Sequence, residues 1–177
     1  LCPNMATMLM FITTDVSISP EMLQKALSAD VKDSLNMVSV DRDTSTNDTL
    51  CVMASGLAGN AVIDRADTDY KKFCRALHAV TTALCKKIAA DGEGATKLIE
   101  CNVTGAKSKQ IARTVAKSVV CSNLLKAAIF GADANWGRVL CAIGYSGAAV
   151  NVKKIGVSFT SAAGEIEVCE EGMGIDF

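Results

Sequence analysis

Histidine is almost absent from this chain: His78 is the only one among 177 residues. It lies in Phe73-Cys74-Arg75-Ala76-Leu77-His78-Ala79-Val80, a stretch that reads as helix, so it is a helix-surface or interface residue and a Ser-His-Asp triad is excluded as the working chemistry. A single histidine, with no cysteine pair in C-x-x-C spacing, also leaves nothing to build a zinc site. Aromatic residues make up only 5%, and positive charge is never concentrated. Lysine pairs such as Lys71-Lys72, Lys86-Lys87 and Lys153-Lys154 are scattered, and the formal charge is −1, so there is no basic stripe for nucleic acid or anionic lipid. No uncharged run approaches the ~20 residues that span a bilayer, and the first twenty residues lack the positive start of a secretory signal. The expectation is a soluble, intracellular protein that binds neither nucleic acid nor membrane.

What the chain has is aliphatic bulk. Half of it is hydrophobic, enough for one sizeable core built from Ala, Val, Leu, Ile and Met, and one compact domain is the default. The eight cysteines are spread evenly from Cys2 to Cys169 and read as small, buried, reduced hydrophobes. The chain opens at Leu1-Cys2-Pro3 without an initiator Met and stops at Gly174-Ile175-Asp176-Phe177. It is expected to be a piece of something longer.

Strand and helix signals alternate along its length. Met8 to Thr13 is an apolar run of strand length. Ser19-Pro20-Glu21 has a capping Ser and a Pro at the first helical position, followed by Met22, Leu23, Ala26 and Leu27 at helical spacing. Asn36 to Val40 reads as a short strand, Asp41 to Thr49 as a polar loop, and Leu50 to Ala54 as a second strand. A long helix is expected over 67–90, broken by Asp91-Gly92-Glu93-Gly94. Ala95 to Val103 alternates like a strand, Lys107 to Val120 like a helix, and Leu124 to Phe130 reads as a strand. A helix opens at Ala132 to Val139, and Val152 to Phe159 with Glu165 to Cys169 form a hairpin around Ala162-Ala163-Gly164. The class is α/β or α+β, with helices layered on sheet.

Four segments stand out chemically. In Pro3-Asn4-Met5-Ala6-Thr7-Met8-Leu9 a threonine follows a small residue at the mouth of a strand. Cutting the Ala6–Thr7 bond would place a free α-amine, with an ordinary pKa of ~7.7–8.0, beside the Thr7 hydroxyl, so that the nucleophile carries its own base. In Asp91-Gly92-Glu93-Gly94-Ala95-Thr96-Lys97 a carboxylate is held between two glycines, either as an exposed turn or where backbone approaches a ligand closely. Neither this stretch nor Gly105-Ala106-Lys107-Ser108 completes a P-loop. The third segment, Arg42-Asp43-Thr44-Ser45-Thr46-Asn47-Asp48-Thr49, suits a self-hydrogen-bonded turn. The fourth, Gly131-Ala132-Asp133-Ala134-Asn135-Trp136-Gly137-Arg138, holds the only tryptophan, a packing anchor when read alone.

Taken in order, these four segments closely resemble the glutamate N-acetyltransferase family of arginine biosynthesis, also called ornithine acetyltransferase. The resemblance spans nearly the whole chain. It implies a precursor that cleaves itself between Ala6 and Thr7, leaving Leu1 to Ala6 as the tail of an α chain and 7–177 as a single β-chain domain without its C-terminal tail. Thr7 matches the family nucleophile and also contacts substrate; Glu93 matches the substrate-binding glutamate; the Asn47 and Trp136 segments are assigned to shaping the site. The implied reaction moves acetyl from N2-acetylornithine to Thr7 and then to glutamate, with no cofactor; some members also accept acetyl-CoA as a substrate. The implied fold is a helix-sheet-sheet-helix sandwich shared between α and β chains in an α2β2 assembly. The oxyanion-hole donors and a substrate-binding lysine are expected from the α chain, and an Asn and a hydroxyl residue from beyond Phe177, so the piece alone is expected to be inactive. The implied location is the cytoplasm, or the mitochondrial matrix in a eukaryote. Two alternatives remain open: a self-processing amidase or aminopeptidase of the same architecture, with water as acceptor, and a non-catalytic chain that keeps the fold.

Overall fold

The computed structural model describes residues 8–39 and 46–176. Contacts divide the chain into two units, Leu1–Ala95 and Thr96–Phe177. Buried apolar side chains gather in two clusters in the first unit and one in the second.

The first unit begins with β1 (Leu9–Thr14), crosses over through α1 (Pro20–Asp30) and returns as β2 (Thr49–Ala54). Such a crossover makes the strands parallel, and they pair in register from Leu9 opposite Thr49 to Thr14 opposite Ala54. α2 (Thr68–Ala90) completes the unit. Both helix starts are built as the sequence suggests. Ser19 Oγ accepts from the Met22 amide at 3.3 Å ahead of Pro20, and the Asp67 carboxylate accepts from the Tyr70 amide at 3.0 Å. That second bond is the main reason the Asp67 carboxyl is held below its ordinary pKa.

Strand alternation sends Met10, Ile12, Leu50 and Val52 toward the helices, where they meet Met22, Leu35, Leu77 and Cys85. The opposite face carries Leu9, Phe11 and Met53, which are 59%, 61% and 48% exposed. The expected strand at Asn36 to Val40 is not formed where described; Leu35–Met37 is a single 3-10 turn. The Ser34 hydroxyl folds back onto the Asp30 carbonyl and carboxylate, both at 3.0 Å, and the turn drives Leu35 into the core at 1% exposure. His78 lies on α2, its Nδ1 2.7 Å from Asp30 Oδ1, so it ties the end of α1 to α2 as a helix-surface residue.

The second unit contains α3 (Lys109–Val120), α4 (Asn123–Phe130) and α5 (Trp136–Gly144), then the antiparallel strands β3 (Val157–Ser161), β4 (Gly164–Glu170) and β5 (Met173–Gly174) in that order across the sheet. Its core is Val115, Val119, Leu125, Val139, Ala142 and Ile143. The hairpin turns at Ala162-Ala163, with Ser161 opposite Gly164. β4 and β5 are joined through Glu171 and Gly172, both at positive φ (49° and 78°), the twist a tight hairpin requires.

Two expectations fail in this unit. Leu124 to Phe130 is helical: Ser122 Oγ caps α4 by accepting from the Leu125 amide, and the Gly131 amide closes it on the Ala127 carbonyl. A seven-residue stretch that is apolar except for Lys126 fits a strand or a buried helix equally well, and the cap decides between them. Ala95 to Val103 shows the alternation it promised, with Ile99, Cys101 and Val103 half-buried and Leu98, Glu100 and Asn102 exposed, but it enters no strand ladder. The seven described cysteines are free. Cys85 and Cys169 are buried, whereas Cys141 is exposed, against the expectation that all are buried. Burial pushes the thiols of Cys85 and Cys101 up to about 11.

Candidate functional site

Ala6 and Thr7 lie outside the described residues, which begin at the next position. Met8 is held from two sides. Its carbonyl accepts from the Thr49 amide at 2.8 Å, extending the β1–β2 ladder by one residue. Its amide donates to Asp48 Oδ1 at 3.0 Å. The loop residue Asp48 thus bonds a partner forty positions away, where the sequence suggested a turn closed on itself. Local bonds exist beside it, from the Thr49 hydroxyl to the Asn47 carbonyl at 3.3 Å and from the Thr46 hydroxyl to Asn47 Oδ1 at 3.5 Å. Asp48 Oδ2 is buried and has no hydrogen-bond partner among the described residues. Sequence reasoning missed the bond from Met8 to Asp48; the available signal was a carboxylate directly ahead of β2, at the level of the start of β1.

Glu93 sits in an exposed turn just past α2. The Ala95 amide closes the turn on the Gly92 carbonyl at 2.8 Å, and Gly94 takes φ 70°, which a side chain there would resist. Ahead of the turn, a shallow open cavity of about 460 Å³ is lined by Lys87, Ile88, Ala90 and Asp91. Among the described residues no hydrogen bond joins Glu93 to Met8 or Asp48.

The Gly131–Arg138 segment is a braced corner. Ala132 adopts φ 58°, rare for a residue with a side chain. Asn135 donates to Asp133 Oδ2 at 2.8 Å and accepts from the Arg138 amide at 3.1 Å, capping α5. Trp136 lies flat against Gly174: a methyl group built there would be 2.6 Å from Cε2 and 2.9 Å from Nε1 of the indole. Lys97, from the segment that follows Glu93, donates to the carbonyls of Ile129 at 2.7 Å and Phe130 at 3.4 Å, where the C-terminal end of α4 is partially negative. These groups position backbone; none is arranged as a nucleophile or base.

The whole chain, residues 1–177, matches the ArgJ family. It belongs to the ArgJ family. Among curated relatives, the arginine biosynthesis bifunctional protein ArgJ 1 of Clostridium acetobutylicum is 54% identical over 175 residues, covering 99% of this chain and 43% of the relative. The ArgJ of Thermotoga neapolitana is 52% identical over 175 residues, covering 99% and 44%. The chain therefore spans less than half the length of these relatives. The crystal structure of the Bacillus halodurans ArgJ protein superposes with a TM-score of 0.89 at 48% identity, covering 96% of this chain and 78% of that one. The α/β fold class is thus that of an ArgJ protein. No described helix is long and apolar enough to cross a membrane.

Proposed function

We propose that this chain is most of the β chain of a glutamate N-acetyltransferase of ornithine and arginine biosynthesis. The observation that carries the reading is membership of the ArgJ family along the full 177 residues, with relatives named as arginine biosynthesis bifunctional proteins. In this reading the Thr7 hydroxyl first attacks the Ala6 carbonyl carbon. The Ala6–Thr7 C–N bond breaks, the nitrogen takes a proton to become the α-amine, and water hydrolyses the resulting ester to free both chains. In each turnover Thr7 Oγ1 attacks the acetyl carbon of N2-acetylornithine; the amide C–N bond breaks, ornithine leaves as the protonated amine, and acetyl stays on Thr7 as an ester. Glutamate's amine then takes the acetyl and returns the hydroxyl. The α-amine serves as base.

Glu93, exposed on its turn, is assigned to the amino group of ornithine or of the incoming glutamate, a charge-assisted pairing. Acetyl-CoA as a second acetyl donor belongs to the same proposal. So does the α chain as partner in an α2β2 assembly, and the bare apolar face of Leu9, Phe11 and Met53 supports a covering partner. The test uses the full-length precursor: intact mass and N-terminal sequencing, then acetyl transfer from N2-acetylornithine to glutamate. A new N-terminus at Thr7 with ping-pong transfer is the expected result. Thr7→Ala is expected to abolish both cleavage and transfer while the protein stays folded. Normal processing in that variant would falsify the mechanism, and acetate release without glutamate would favour an amidase.

A further inference from the structure

We infer that residues 97–103 form an open strand edge, and that its neighbour is a strand from the part of the full-length protein outside residues 1–177. The side chains of this segment alternate as a strand's do. Ile99, Cys101 and Val103 are half-buried, whereas Leu98, Glu100 and Asn102 are exposed. Cys101 and Val103 pack against the core built around Val115, Val139 and Ala142. One face of the segment is thus seated on the second unit, and Lys97 pins its start by donating to the Ile129 and Phe130 carbonyls.

The backbone is another matter. Among the described residues the segment joins neither sheet. The backbone of Leu98, Ile99, Cys101, Asn102 and Val103 takes part in no backbone hydrogen bond there. Side-chain packing therefore holds an extended chain whose N–H and C=O groups have no ladder to enter, and an ordered row of such groups is a template for another strand. No glycine or proline interrupts 97–103, so none of its amides is missing and none of its positions is a natural kink. An added strand would take its affinity from main-chain bonds, and its inward side chains would continue the apolar layer of Ile99, Cys101 and Val103.

The occupant follows from where further polypeptide is at hand. The Bacillus halodurans structure covers 96% of this chain, yet only 78% of that chain is matched. The two curated relatives are matched over 43% and 44% of their length. Full-length relatives thus carry much chain beyond the matched stretch. A strand tethered in the same protein meets the edge at an effective concentration on the order of millimolar, whereas a second copy must be drawn from solution.

The test is amide hydrogen exchange on the full-length protein, resolved by residue through 97–103. Every second amide of the segment is expected to exchange at least about a hundredfold more slowly than in an unstructured peptide of the same sequence, with no change on dilution. Exchange at the peptide rate would overturn the inference. Protection that fades on dilution would assign the edge to a second copy, and would overturn it equally. A crystal structure of the full-length protein identifies the neighbour: a strand outside 1–177 is expected, and a ladder partner from within 1–177 would sink the inference.

Discussion

The two units solve the burial of a sheet differently. In the second, β3, β4 and β5 are antiparallel; Val168 and Cys169 are fully buried, while Glu165, Glu167 and Glu170 stand in solvent. One wet face is ordinary for such a sheet. In the first, β1 and β2 are parallel and, among the described residues, form a sheet of two strands. Helices cover one face, and the other presents Leu9, Phe11 and Met53. Parallel strands are almost always covered on both sides, so the first unit carries an unmet demand that the second does not. The residues proposed for the chemistry, Thr7 and Glu93, both belong to the first unit. The second supplies the braced corner at Gly131 to Arg138.

The contrast can be broken most severely from inside the first unit. Leu35→Ala removes a side chain that is 1% exposed beneath the β1–β2 sheet, and a loss of about 2–5 kcal/mol is expected in denaturant unfolding. A smaller loss would show that the site collapses around the missing atoms. Phe11→Thr sharpens the comparison itself. If the bare face of β1–β2 is covered in the full-length protein, this substitution should cost about 1.5–3 kcal/mol there. A neutral result would mean the face stays in solvent. In the second unit, Gly174→Ala forces a methyl group into the Trp136 indole, with about 1–3 kcal/mol of overpacking expected. Thermal melting and amide exchange at Gly172 and Ile175, whose amides bond the Ile155 and Val168 carbonyls, would read it. Unchanged exchange at both amides would show that the indole does not hold β5.

What was legible in the sequence follows the range of each interaction. Ser19, Asp67, Ser108 and Asn135 all cap helices within three residues of themselves, so α1, α2, α3 and α5 were foreseeable from local chemistry. The same logic was available at Ser122, yet the apolar run after it was read as a strand, because Leu, Ile and Phe satisfy either period over seven residues. The alternation of Ala95 to Val103 was also real. It marks which side chains are half-buried, but a strand needs a neighbour, and alternation does not supply one.

At the candidate site the division is sharper. Order and residue type along the four motifs identified the family and singled out Ala6, Thr7 and Glu93, because reaction chemistry constrains the kind of side chain at each place. The bond from the Met8 amide to Asp48 was invisible there. Its neighbours are Asn and Thr, which invite a local turn, and its actual partner is fixed only when β1 and β2 pair in parallel with Leu9 opposite Thr49. A one-residue slip in that register would change which backbone groups stand opposite one another. The sequence by itself therefore determined the helix caps and the family, since these rest on bonds between near neighbours or on residue type. The tertiary structure alone decided that Asp48 grips Met8, that Trp136 lies against Gly174, and that one face of β1–β2 is left bare. Each of those depends on segments distant in the chain being brought within a few ångströms by strand pairing and packing.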